Sequence, residues 1–387
     1  MENHYRPEPT ETKRLKREMF KGHNTPMDLP FALLVALIAG IGLIMMFSAS
    51  YASASYNMND PTYFLLRQGP YVVIGLILMY LTSRVNYQYF RALSIPLMMV
   101  ALVMLALVPF LGQVRNGARR WIYIGPISVQ PSEIAKIAVI LLFAAMISKN
   151  YQRMKTFRYG ILPFAGILLA ILALLFLQPH LSGMVLIASV GAVMLFLGGI
   201  RLWYFIGAGA VAVPAAYLIV QNMQHAQDRI ALWKDPWLDP LDKGYQAVQS
   251  LMAIGSGGLF GLGLGESRQK YLYLPEQHND FVFSVVCEEL GFFGACMVLV
   301  LFAILIIRGF WVALHARDRF GSLLAAGVTT QLAIQVFFNV AVVTSLVPVT
   351  GISMPFFSYG GSSLLILMVE MGVVLSVSRQ LAVGESV

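Results

Sequence analysis

Long apolar runs, each about 18 to 25 residues, alternate with short polar stretches through nearly the whole chain. A run of that length lets an α-helix cross the hydrocarbon core of a bilayer, and a helix satisfies its backbone polar groups within one segment. The runs lie near 29–50, 63–83, 92–111, 131–148, 160–177, 181–199, 201–221, 281–307, 322–346 and 354–378. They predict an all-α polytopic membrane protein of about ten transmembrane helices, with a large extracytoplasmic loop, 222–280, between helices seven and eight. Residues 28–380 form the transmembrane domain. Residues 1–27 are polar without apolar periodicity and predict a basic cytoplasmic tail, and 381–387 a second one.

Composition supports the membrane class. The chain is 58% hydrophobic and 12% charged, with a mean hydropathy of +0.71, outside the range of soluble domains. Its net charge of +8 follows the bilayer and does not indicate nucleic-acid binding. Lys13, Arg14, Lys16, Arg17 and Lys21 fall on the same side as Arg84, Arg91, Lys149, Arg153, Arg201, Arg308 and Arg317, and the positive-inside rule makes that side the cytoplasm. The first apolar run lacks a clean cleavage site and is expected to stay as an uncleaved helix. Cys287 and Cys296 share one apolar run, which indicates neither a disulfide framework nor a thiolate metal site.

The exceptions to the charge rule carry information. Arg115, Arg119 and Arg120 lie in the outward loop 112–130, and Arg229, Lys234, Lys243, Arg268 and Lys270 in the outward loop 222–280. Cations placed there point to an anionic partner, although Lys234 and Lys243 equally balance Asp235, Asp239 and Asp242. The longer loop reads as an interfacial cap with turns at Asp235-Pro236 and Asp239-Pro240. An amphipathic helix over Tyr245 to Ile254 is expected to lie in the interface. The glycine-rich 255–265 that follows permits a flexible or tightly turned loop and lacks the Gly-Lys-Ser/Thr of a phosphate-binding loop.

Three constellations could carry chemistry. Arg115 to Trp121 offers bidentate phosphate contacts and an aromatic platform, or else an interfacial belt of snorkelling arginines. Pro131 starts the fourth helix, Glu133 lies in its first turn and Lys136 lies three residues on, so both charges share a face, as a catalytic or a structural pair. The stretch from Gly265 to Gly291 runs through Arg268, Lys270, Glu276, His278 and Asp280 into an apolar run that still holds Glu288 and Glu289. Ionisable groups there are costly and mark function. Asp280, at a helix entrance reachable by water, is the candidate for proton chemistry and His278 the second choice. Glu288 is expected to approach the same cavity from below, while Glu289 faces another helix. No histidine or cysteine cage for a metal is visible. A divalent cation, Mg or Mn, bridging a carboxylate and substrate phosphates would need no such motif, and the sequence leaves it open.

PEQHNDFVFSVVCEELGFFG, together with Asn339 and VPVTGISMPFFSYGGSS up to Ser363, resembles the SEDS family, the FtsW/RodA/SpoVE proteins of bacterial cell-wall synthesis. The resemblance spans about residues 29 to 380, and GLGLGESRQKYLYLPE is closer to the FtsW and SpoVE branch. It implies a ten-helix peptidoglycan glycosyltransferase that polymerises lipid II on the outer face of the bacterial cytoplasmic membrane. The nascent glycan on undecaprenyl pyrophosphate serves as donor. The family's essential acid falls on Asp280, its loop tryptophan and arginines on Trp121, Arg119 and Arg120, and its fourth-helix pair on Glu133 and Lys136. Asn279 stands where threonine is common. The implied partners are a class B penicillin-binding protein, a transpeptidase, and other divisome or elongasome membrane proteins. The run containing Pro348, Gly351, Pro355, Ser358, Gly360 and Gly361 breaks helical structure, shaping either a substrate groove or a tight packed turn. The competing functions are a lipid II flippase, which would need a substrate path across the bilayer, and a non-enzymatic scaffold.

Overall fold

The computed structural model describes residues 26–381 except 116, 117, 126, 223, 243 and 272, so the tail before residue 26, Lys243 and residues 382–387 lie outside the described residues. Helix α1 (Leu29–Met58) starts where Asp28 Oδ1 accepts the Phe31 amide at 3.0 Å, with a proline in its first turn. It leads into α2 (Tyr63–Arg84), α3 (Gln88–Leu111), α4 (Pro131–Asn150), α5 (Leu162–Phe176), α6 (Leu181–Leu197) and α7 (Leu202–Asn222). Short helices α8 (Gln224–Lys234) and α9 (Tyr245–Ser256) precede α10 (Val282–Leu314), α11 (Arg319–Val343) and α12 (Gly361–Ser378). The chain is a helical, multi-pass membrane protein. Eight of its described helices are long and apolar enough to cross a bilayer. The expected sixth span corresponds to the 17-residue α6, and the seventh to α7, which is not among those eight.

Three regions depart from the sequence reading. Residues 112–130 form a small antiparallel sheet, β1 (Gln113–Arg115), β2 (Ala118–Ile124) and β3 (Ile127–Val129), in that order. The expected tenth span at 354–378 starts as helix only at Gly361, because the preceding proline- and glycine-containing segment turns. The third departure is α10, whose helix breaks at Gly291 (φ 67°, ψ −170°).

The break is filled by the backbone of the glycine-rich segment, while its Leu259, Phe260 and Leu264 side chains stay exposed. Leu262 and Gly263 amides donate to the Glu288 and Glu289 carbonyls at 3.0 Å each, and Phe292 and Phe293 amides donate to Gly258 and Leu259 carbonyls. These bonds replace the helical bonds that the break removes. A Cβ on Gly261 would lie 2.2 Å from the Glu289 carbonyl oxygen, so the backbones meet at a distance only glycine allows. Helix α9 packs against α10 and α11, where Ser250 Oγ lies 2.7 Å from both Ser284 Oγ and the Val343 carbonyl. The segment thus runs alongside α10 for roughly 13 Å, counting 1.5 Å per residue from Val282 to Gly291.

Helices α4, α11 and α12 form the buried centre, with α2 packed along α12, α3 along α4, and α1 along α10. Close contact comes from small residues: a Cβ on Gly372 would lie 2.6 Å from the Met79 carbonyl oxygen. One end of the bundle is tied by Arg308 to Asp28 at 2.9 Å and by Tyr87, whose hydroxyl donates to Asp318 at 2.9 Å. The other end opens into a cavity.

Candidate active site

The cavity has a volume of about 1150 Å³ and lies where β2 and the starts of α2, α4, α6 and α12 surround the entrance of α10. It exceeds the about 300–1,000 Å³ usual for small-ligand pockets. It brings Arg120, Trp121, Glu133, Lys136, His278, Asp280 and Gly360 together from segments distant in sequence.

Asp280 is held by two loops stitched into one unit. Buried Asn339 donates through Nδ2 to the Asp280 carbonyl at 2.8 Å and the Ile352 carbonyl at 2.6 Å. Ser358 Oγ donates to the Asn279 carbonyl at 2.7 Å, and the Tyr359 amide to the His278 carbonyl at 2.8 Å. The carboxylate rests on Gly351 (φ 74°), where a Cβ would lie 3.0 Å from Asp280 Oδ2. Burial pushes the Asp280 carboxyl up to about 6, with Glu276 adding to the rise and Arg120 opposing it. A carboxylate so placed is matched to accepting a proton near neutral pH.

On the α4 wall, Lys136 Nζ lies 2.8 Å from Glu133 Oε2, and the buried ammonium reaches the cavity floor. His180, 7% exposed, caps the start of α6 beside them, with Nε2 at 3.4 Å from Gln130 Nε2. Burial, then Arg120 and Lys136, push its imidazole down to about 3, so it stays neutral. Arg120 donates to the Pro179 carbonyl.

Several expected site residues are elsewhere. Arg119, adjacent to Arg120 on β2, points the other way, as alternate strand positions do, and donates to the Pro109 carbonyl at 2.9 Å. Arg115 ends β1 opposite Ala118, and its side chain lies outside what is described. Lys270 is 2% exposed, pairs with Glu289 at 2.9 Å and Ser48 Oγ at 3.2 Å within the protein, and does not line the cavity. Arg268 has its amide on Glu288 Oε1 at 3.0 Å and does not line the cavity. Glu288 does not line the cavity that holds Asp280: it accepts from Ser256, Ser267, Arg268 and Gln269 and seats the segment that folds back along α10. Glu289 does face another helix, accepting Ser48 of α1 at 2.7 Å. Ser358 lines a recess of about 20 Å³ below the main cavity instead of the cavity itself. His278 packs on Phe64 at 4.6 Å and Tyr359 at 6.1 Å between ring centroids.

The sequence reading missed Arg67, His180 and Glu370. Arg67 lines the cavity, and Glu370, buried and bonded to Gln331 at 2.7 Å, lines the recess. The signal for both was an ionisable residue inside an apolar run, the same signal that singled out Glu288. Among the described residues no group of three or more His, Cys, Asp or Glu is placed to hold a metal ion.

Fold and site define a polytopic membrane protein whose large cavity holds a carboxylate beside cations. The chain belongs to the FtsW/RodA/SpoVE family, whose model, described as cell cycle protein, matches residues 28–382. It is 42% identical over 357 residues to stage V sporulation protein E of Bacillus subtilis (strain 168), covering 92% of this chain and 98% of that one. It is 40% identical over 356 residues to a probable peptidoglycan glycosyltransferase FtsW of Geobacter sulfurreducens, covering 92% and 95%. Among solved structures it matches a chain from a peptidoglycan synthase complex that coordinates polymerization and crosslinking, with TM-score 0.78, 32% identity, and coverage of 92% and 98%. It also matches the Thermus thermophilus rod shape determining protein RodA, with TM-score 0.68, 31% identity, and coverage of 92% and 97%.

Proposed function

We propose that this protein is a peptidoglycan glycosyltransferase that polymerises lipid II into β-1,4-linked glycan at the outer face of the bacterial cytoplasmic membrane. The observation that carries the reading is Asp280 in one cavity with Arg120 and Lys136, in a chain whose relatives include proteins named for that activity. Asp280 takes the proton of the acceptor's GlcNAc 4-hydroxyl as that oxygen attacks the donor's anomeric carbon. The bond to the undecaprenyl pyrophosphate breaks and configuration inverts. Arg120 and Lys136 stabilise the charge gathering on the leaving pyrophosphate, and the desolvated setting strengthens them. Trp121 offers a face to a sugar ring. Ten helices cross the membrane, both termini lie in the cytoplasm, and a class B penicillin-binding protein is the partner.

The test is gel-resolved polymer from labelled lipid II made by purified Asp280→Asn protein. General-base contributions are about 10²- to 10⁴-fold, so polymer falls at least by the lower factor while folding and membrane insertion persist. Because the Asp280 carboxyl titrates near 6, wild-type activity is full above that pH and declines as pH falls through it. Near-normal polymer from folded Asp280→Asn, or wild-type activity that does not decline on acidification, would sink Asp280 as the base. A flippase would tolerate the neutral isostere.

A further inference from the structure

The cavity carries a third cation, which the scheme above leaves unused. Arg67 enters it from α2, an element that holds neither Arg120 nor Lys136. Its guanidinium carbon lies 4.1 Å from the Tyr63 ring centroid and its side chain is hydrogen-bonded to Tyr359. Aromatic faces and a phenol hold an arginine in place without neutralising it, and the planar fork keeps N–H donors for a further anion. No carboxylate among the described residues forms an ion pair with it.

Asp280 is linked to both cationic groups. Arg120 acts on its carboxylate through space, and its near neighbour His278 packs on Phe64 and Tyr359, the side where Arg67 lies.

The reaction needs two anion sites. The donor's pyrophosphate is bonded to the carbon under attack, so it must lie beside Asp280, where Arg120 and Lys136 are. The acceptor reacts through a hydroxyl at one end of its disaccharide and carries its own pyrophosphate at the other. That second anion therefore lies one disaccharide away from the reacting atoms and calls for a cation from another part of the cavity wall, which Arg67 of α2 supplies. The cavity wall on the Arg67 side also includes Ile74 of α2 and Met58 of α1, both 46% exposed, which offer an apolar exit for a polyprenyl chain.

We propose that Arg67 binds the pyrophosphate of the acceptor, so that the cavity holds two polyprenyl-pyrophosphate-linked saccharides at once. The donor occupies the Arg120 and Lys136 side and the acceptor the Arg67 side. This rests on the polymerase reading.

The experiment uses the full chain in detergent with fluorescent lipid II as probe. In an Asp280→Asn background, which keeps every cation, titration shows two saturable binding steps. Adding Arg67→Ala weakens one of them by at least about tenfold, the scale of a charge-assisted phosphate contact, and Arg67→Lys restores part of it. With Asp280 intact, Arg67→Ala raises the lipid II concentration for half-maximal polymerisation by a similar factor, more than it lowers the saturated rate. Thermal unfolding run beside both assays excludes a folding defect, and Arg67→Gln serves if the alanine variant unfolds. No polymer from wild type overturns the polymerase reading and this proposal with it. Polymer from wild type, with both binding steps and half-saturation unchanged in the variant, overturns the acceptor site alone.

Discussion

Gly351 shows how finely one residue sets this site. It is in the left-handed region, and a Cβ there would lie 3.0 Å from Asp280 Oδ2 and press on the carboxylate. Gly351→Ala therefore has two costs: about 1–2 kcal/mol of backbone strain, and displacement of Asp280 from its seat. The expected outcome is a loss of polymerisation of tenfold or more with only a modest fall in the thermal midpoint, read by a polymer assay and a melting curve on the same sample. Full activity in a folded Gly351→Ala protein would show that the carboxylate does not depend on this contact. Asp280 itself was legible in the sequence, since an acid where a polar loop enters an apolar run calls for a reason. Gly351 was legible only as a helix breaker.

At the scale of elements, the broken α10 and its glycine-rich insert form one unit whose charges face inward. Glu288 is 0% exposed and accepts from backbone amides and two serines, and Glu289 is held by Lys270 and Ser48. Removing one partner of a buried pair strands the other charge, at about 3–5 kcal/mol. Lys270→Met is thus expected to lower the melting midpoint sharply and to reduce folded yield, without a selective change in lipid II half-saturation. A stable Lys270→Met protein with weakened lipid II use would return Lys270 to the substrate. The sequence showed that these charges lie near a membrane segment but not which way they turn, because a break at Gly291 and a chain that folds back along α10 set their direction.

For the whole molecule, the charge bias along the chain predicts an orientation in which the cavity faces outward and the end where Arg308 meets Asp28 and Arg91 meets Asp318 faces the cytoplasm. Single cysteines can be placed in a background with Cys287 and Cys296 replaced by alanine. A probe within 1–27 is expected to react only after the membrane is permeabilised, and one at Gln113 in intact cells. The reverse pattern would invert the topology and put the cavity on the cytoplasmic face.

The sequence by itself determined the class of fold, because the length and hydropathy of an apolar run are local properties that a bilayer reads directly. It also determined the Glu133 and Lys136 pairing, since three residues on a helix fix a shared face. Only the tertiary structure decided which cations face the cavity. Arg120 and Arg119 differ by one strand position and point apart, Lys270 turns inward to a carboxylate nineteen residues on, and Arg67 arrives from a helix that no local pattern linked to Asp280. Direction and partnership of charged side chains depend on where distant segments pack, and that information is spread over the whole bundle.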